Sequence, residues 1–305
     1  MASKKIVVVG SANTDMVIVT EHFPVPGETI LGGKFLMNAG GKGANQAVAA
    51  ARGGGNVAFI AKVGNDVFGQ QTIQNLLQEG IDVSGVKTDK DYPSGVAMIT
   101  VDKRGENCIV VAPGSNMRLT PADIDSSSLL LDKAEILLLQ LEIPLATVTY
   151  AAKKAFSLGA KVILNPAPAH QLPEELFPCL YIITPNENEI ELLTGIKVTN
   201  EATALKAASL LKEKGVSIVI ITLGASGAFI FSDTMQMLVP SPKVEAVDST
   251  SAGDTFNGAL AVALAEGKDI LAAVQFANKA AAMTVMKLGA QASIPTVEEI
   301  LSKIF

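Results

Sequence analysis

Cysteine, histidine and long apolar runs are all scarce in this 305-residue chain, and each scarcity argues against a class of protein. Its two cysteines, Cys108 and Cys179, stand far apart in apolar or proline-bounded surroundings, and its two histidines form no cluster with them. That argues against a disulfide framework or a zinc site, and both thiols are expected to be free and buried. Near the start of the chain the apolar run covers only residues 6–9, too short for a signal-peptide core or a membrane span, so a cytoplasmic protein is expected. Long basic runs are missing too. The net charge is −6 and the acids are dispersed rather than gathered into a tail, which argues against a nucleic-acid surface. No internal repeat or low-complexity linker divides the sequence. What is present is a chain that is 49% hydrophobic and long enough for two domains, or for one large α/β domain with a small appendage. Small-molecule chemistry is the expectation.

Continuous, β-branched apolar runs at residues 4–10, 56–63, 135–141, 162–164, 181–184 and 216–223 have the pattern of a parallel sheet covered on both faces. Such sheets keep their ligands at the carboxyl ends of their strands. Polar groups stand at several of these ends: Asn13 and Asp15 after the first run, Glu142 after the third, and Asn186 and Glu189 after the fifth. Asn13 and Asp15 suit sugar hydroxyls. Asn186 and Glu189, three apart at a helix start, either cap that helix or face a hydrated cation such as Mg²⁺. Gly40-Gly41-Lys42-Gly43-Ala44-Asn45 opens another helix, where a ligand can approach the backbone closely. It is not a Walker A loop, which needs four residues between its glycines and a Ser or Thr after the lysine. Ile73, Leu76 and Leu77 are expected in the core at helical spacing. A hairpin is expected from 229–231 and 237–239, and a long alanine-rich helix over 271–288. Two strand-only stretches, about 13–36 and 94–111, interrupt the alternation and read as an antiparallel lid over the site, within a single domain spanning 1–305, with Val17, Val19, Ile99 and Val101 expected on the lid's outer, exposed face.

The chain is organised around Asp248-Ser249-Thr250-Ser251-Ala252-Gly253-Asp254, which lies between a β-prone run at 244–247 and an apolar helix-former from Phe256 onward. Amides at a helix start have no intrahelical partner and can hold a phosphate or an oxyanion. Asp254 would repel that phosphate unless it serves a hydroxyl that loses its proton during attack, so it is either a general base or an ordinary acid in a first helical turn.

Taken together and in order, Asn13 with Asp15, Gly40 to Asn45, Glu142, Asn186 with Glu189, and Thr250 to Asp254 resemble the ribokinase-like carbohydrate kinases. The resemblance runs from the first strand to about Pro295. It implies a central, mainly parallel sheet between helices with a small β lid that pairs with a second subunit's lid in a homodimer. It also implies ATP-dependent phosphorylation of D-ribose at O5, with a sibling kinase for fructose, deoxyribose, a keto-deoxy acid or a nucleoside as the near alternative, and an inactive sugar-binding regulator as the remote one. By position, Asn13, Asp15, Gly41, Lys42, Asn45 and Glu142 resemble sugar contacts, and Asp254 the base. Ala252 and Gly253 resemble the amides on the transferring phosphate. Thr222, Gly224, Ala225, Gly227 and Asn278 resemble nucleotide contacts, while Asn186 and Glu189 match the pair that positions hydrated Mg²⁺ and phosphate. Asp248, Thr250, Thr284, Lys287, Gly289 and Ser293 resemble a K⁺ site. Ser251 stands where many relatives carry glycine.

Overall fold

Alternation of buried strands with apolar-faced helices closes into layers in the computed structural model, which describes residues 5–305. Lys4, expected in the first strand, lies outside the described residues. Among the described residues the strands are β1 Lys5–Val9, β2 Asn13–Val19, β3 Lys34–Gly40, β4 Asn56–Gly64, β5 Asp82–Asp89, β6 Gly95–Val101, β7 Asn107–Ala112, β8 Ala134–Leu139, β9 Lys161–Leu164, β10 Ile182–Ile183, β11 Ile218–Thr222, β12 Ala228–Phe231 and β13 Gln236–Val239. The helices are α1 Lys42–Arg52, α2 Val67–Gln78, α3 Pro121–Asp125, α4 Ser128–Leu131, α5 Leu145–Ser157, α6 Glu187–Thr194, α7 Glu201–Glu213, α8 Ala252–Ala265, α9 Ile270–Thr284 and α10 Val297–Ser302.

The larger sheet has the order β13-β12-β11-β10-β9-β8-β1-β4-β5. It is parallel from β5 to β11 and antiparallel where β12 pairs with β11 and with β13. Period-2 alternation sends Ile6, Val8, Ile136 and Leu138 to one face, against α1, α8 and α9, and Val7, Val9, Leu137 and Leu139 to the other, against α5 and α7. Both faces are therefore sealed. The strand order reverses at β1 and β8, so their carboxyl ends diverge and leave a crevice between them.

The second sheet has the order β3-β2-β6-β7. It is not wholly antiparallel as expected, because β2 and β6 run parallel, the intervening chain having passed through the large sheet before returning. β3 reaches Gly40, past the expected end of the lid near residue 36, and the Pro- and Gly-broken stretch 20–33 contains no strand. Residues 244–247 form no strand either; Val247 and Asp248 donate their amides to the Val285 carbonyl instead, at 2.7 and 3.1 Å. α9 stops at Thr284 rather than 288, and Leu77 is exposed on the outer side of α2. Cys179 is buried as expected, but Cys108 is exposed, because β7 is an edge strand of a sheet without a covering layer.

Candidate active site

The crevice is built by close backbone approaches. Gly41 precedes α1 at φ 88, and a side chain there would meet the Asn13 nitrogen at 2.7 Å. A Cβ at Gly43 would lie 2.5 Å from the Ser11 nitrogen, so the start of α1 rests directly on the end of β1. Glu142 joins these segments: one carboxylate oxygen accepts from the Ser11 hydroxyl at 2.6 Å and from the Lys42 amide at 3.0 Å. Asn13 Oδ1 accepts from Asn116 Nδ2 at 2.7 Å, while Asn116 Oδ1 accepts from the Ala12 amide at 2.9 Å.

Four carboxylates, those of Asp15, Glu142, Asp254 and Glu189, share this corner with the Lys42 ammonium. Burial, then Glu142 and Asp254, push the Asp15 carboxyl up to about 6, against the pull of Lys42. Burial also works against the charge on Lys42, but Asp254, Glu142, Glu189 and Asp15 outweigh it and hold its pKa above the ordinary lysine value. Glu189 is raised chiefly by burial.

Asp254, 7% exposed in the first turn of α8, has both oxygens held by amides of consecutive α1 residues. Asn45 Nδ2 donates to Oδ2 and Gln46 Nε2 to Oδ1, each at 3.0 Å. Asn45 also donates to the Ser251 hydroxyl at 2.9 Å and accepts from Gln291 Nε2 at 3.1 Å. Ser251 adopts φ 61 and makes no side-chain cap to α8. The Ala252 amide makes one long bond to the Ser249 carbonyl, at 3.3 Å; the Gly253 amide has no backbone carbonyl partner among the described residues, and apart from its chain neighbours and its own helix backbone nothing described lies within 4 Å of where its Cβ would be. An open, polarised helix start thus sits one residue from a buried carboxylate.

From there a cleft of ≈ 650 Å³ runs outward. Lys42, Asn186, Glu189, Ala252, Gly253 and Asp254 line it together with Thr222, Gly224, Ala225, Gly227 and Asn278, the five that resemble nucleotide contacts. Asn13, Asp15, Gly41, Asn45 and Glu142 lie outside that lining, at the corner around Lys42 and Asp254. Asn186 and Glu189 form a reciprocal cap on α6, with each Glu189 oxygen accepting from Asn186.

Asp248 ties two loops together. Oδ1 accepts from the Thr250 amide and hydroxyl at 2.9 and 2.6 Å, and Oδ2 accepts from the Gly289 amide at 2.9 Å. Burial opposes its charge, but these donors hold its carboxyl below the usual range. The hydroxyls of Thr284 and Ser293 donate to backbone carbonyls, and the Lys287 ammonium pairs with Glu299 at 3.1 Å, so Lys287 and Gly289 have only their carbonyl oxygens to offer an ion. Sequence reasoning overlooked Ser11, Gln46, Asn116, Gln140, Asn165 and Gln291. For Gln46 a signal existed, its place directly after Asn45 in the glycine-rich run.

Oriented amides beside a held carboxylate and a lysine define an enzyme of phosphoryl transfer to a hydroxyl, on an α/β fold with its crevice at the strand ends. Residues 3–297 match the pfkB family of carbohydrate kinases, and the chain belongs to that family: it is a sugar kinase. It is 46% identical to a ribokinase of Haemophilus influenzae over 98% of this chain and 97% of that protein. Among solved structures it resembles a ribokinase from Thermotoga maritima, with TM-score 0.90 and 43% identity over 97% of this chain and 98% of that one. It also resembles an Arabidopsis thaliana ribokinase complexed with ribose and ATP, with TM-score 0.90 and 33% identity over 99% and 98% of the two chains.

Proposed function

We propose that this kinase transfers the γ-phosphoryl of ATP to O5 of D-ribose in the cytoplasm, with Asp254 as general base. The observation that carries the reading is the position of Asp254. Its carboxylate is fixed by Asn45 and Gln46 where the sugar corner meets the cleft, one residue from the open Gly253 amide. In this reading Asn13, Asp15, Gly41, Lys42, Asn45 and Glu142 surround the sugar, and Asp254 takes the hydroxyl proton as O5 attacks. The Ala252 and Gly253 amides and the Lys42 ammonium meet the charge on the transferring group. Thr222, Gly224, Ala225, Gly227 and Asn278 hold the nucleotide. Use of ATP supports the cytoplasmic setting.

The excess of carboxylates over cations fits a site that also takes a metal ion. Among the described residues no group of three acidic, histidine or cysteine side chains could hold it directly. Asn186 and Glu189 would therefore hold Mg²⁺ through its water, and the bound ion would neutralise phosphate charge. Asp248 and Thr250, with carbonyls of the 284–293 loop, offer the hard oxygen donors that suit K⁺ and would order the turn at Ser251. A panel of ribose, deoxyribose, fructose, a keto-deoxy acid and nucleosides with labelled ATP tests these assignments, run in potassium and again in a bulky organic cation at equal ionic strength. Ribose in potassium should give the highest kcat/KM. A better substrate would reassign the sugar, equal rates in both salts would remove K⁺, and binding without turnover would mark a regulator.

Asp15 supplies a pH test. Ionised, it accepts sugar hydroxyls; with its carboxyl at about 6, it carries a proton below that pH in the free enzyme. The sugar KM should therefore rise as pH falls through about 6, and Asp15→Asn should give a high KM without that limb. A carboxyl raised above its ordinary 3.8 contributes stability that is fully present below 3.8 and lost as pH rises through about 6. Asp15→Asn should accordingly melt higher than wild type at pH 7.5. A lower melting temperature and an unchanged KM profile would refute both statements.

The second sheet is proposed as a lid over the sugar and as the surface of a homodimer. Strand register supports an assignment of the two faces. Asn13, Asp15, Val17 and Val19 share one side of β2, level with Ala97, Ile99 and Val101 of β6. Val17, Val19, Ile99 and Val101, expected on the outer face, therefore lie on the sugar side. The outer face carries Met16, Met37, Met98 and Val110, paired across all four strands, with Ile18 and Phe35 in the next row. Exposures of 59% for Phe35, 53% for Met37, 50% for Met98 and 71% for Val110 make it an apolar patch suited to a second copy.

A further inference from the structure

Behind Asp254 lies a chain of buried side-chain amides. Gln46 Nε2 donates one hydrogen to Asp254 Oδ1 at 3.0 Å and the other to Asn165 Oδ1 at 3.1 Å. Gln46 Oε1 accepts from Gln140 Nε2 at 2.6 Å, and Asn165 Nδ2 donates to the Thr184 carbonyl at 3.2 Å. Gln46 and Gln140 are both 0% exposed and Asn165 is 7% exposed. The carboxylate dictates the direction of the whole chain. An ionised Asp254 can only accept, so the Gln46 amide must turn its nitrogen inward and its oxygen back, and only the nitrogen of Gln140 can meet that oxygen.

Gln140 bears the cost. Its Oε1 is buried without a hydrogen-bond partner, the single such atom among the described side chains. Gly10 lies against it so closely that a Cβ there would overlap the oxygen. A buried acceptor left unpaired destabilises a fold, so packing alone would favour an apolar residue at the end of β8. What Gln140 provides in return is the bond that sets Gln46. Gln46 is in turn pinned where α1 crosses α8: a Cβ at Gly258 would be 2.8 Å from the Gln46 carbonyl and 2.7 Å from the Ala50 nitrogen.

We infer that Gln46, oriented by Gln140, is a positioning residue of the proposed reaction, one that holds the Asp254 carboxylate plane toward the attacking hydroxyl without touching the sugar. The inference rests on the reading of Asp254 as base. Asn45 fixes one carboxylate oxygen from the sugar corner, and Gln46 fixes the other from the core, so the plane cannot rotate about the Cβ–Cγ bond. Misplacing a reacting group by about 1 Å costs on the order of 10²-fold in rate.

The test is a kinetic cycle. Gln46→Met keeps length and volume and removes both donors; it should lower kcat about 10–100-fold while the sugar and ATP KM values stay within about threefold. In an Asp254→Asn background the same change should cost less than about twofold, because the group it orients no longer acts as a base. Gln140→Leu deletes one unpaired acceptor and creates another on Gln46, so the melting temperature should hold while kcat falls. Full kcat in Gln46→Met beside a crippled Asp254→Asn overturns the inference and leaves the base standing. Full kcat in Asp254→Asn overturns the base assignment itself. If Gln46→Met yields no folded protein, Gln140→Leu decides alone: lower kcat with an unchanged melting temperature supports the positioning role, and unchanged kcat or a parallel loss of stability overturns it.

Discussion

Asp254→Asn should bind sugar nearly as well as wild type and turn over 10²–10⁴-fold more slowly, the range in which a general base contributes. The substitution is close to isosteric, so the start of α8 should persist. What changes is chemistry: an amide cannot take the hydroxyl proton. The site also reacts to the change, because Asn45 and Gln46 both point N–H groups at the carboxylate, and an asparagine can accept on only one of its two atoms. One of those donors must lose its partner or turn. The loss in kcat should therefore come with a modest loss of stability, while the sugar KM stays within a few fold. Steady-state kinetics with thermal melting check this, and a variant with near-wild-type turnover would falsify the assignment of Asp254 as base.

Met98→Asp should convert a dimer into a monomer. Met98 is central on the outer face of the lid, between Met16 and Val110 in register. In a twofold interface the same patch meets itself, so a carboxylate introduced there is buried and also faces apolar groups of the second copy. Breaking or burying an uncompensated charge at an interface costs about 2–5 kcal/mol, which weakens association by about 30-fold to several thousandfold. Sedimentation or light scattering across micromolar concentrations reads that shift. Because Met98 points away from Asp15, the sugar corner is untouched directly, and any rise in the sugar KM measures how much the second copy steadies the closed lid. A wild-type protein that is already monomeric at these concentrations, with normal sugar affinity, would show that the lid works alone.

The sequence by itself determined the layered fold and where along the chain polar groups gather at the strand ends. Buried strands are legible because sheets covered on both faces read as unbroken apolar runs, and the crevice is legible because polar residues follow those runs at β1, β8 and β10. Glycines at 41 and 43 announced a close approach that the packing of α1 on β1 then required. Other features depended on register and on long-range contact, which local pattern does not encode. In the lid, a shift of one residue exchanges the two faces. Every lid strand is apolar on both sides, so alternation alone could not say that Val17, Val19, Ile99 and Val101 look inward; the position of Asp15 in the β2–β6 register decides it. Residues 244–247 have β propensity but lie past the last strand, where the Val285 carbonyl, not a neighbouring strand, takes the amides of Val247 and Asp248. The amides of Gln46, Gln140 and Asn165 are ordinary polar residues in sequence, more than 90 positions apart for the Gln46–Gln140 pair. Only folding, which buries them together around one carboxylate, turns them into a single hydrogen-bonded unit.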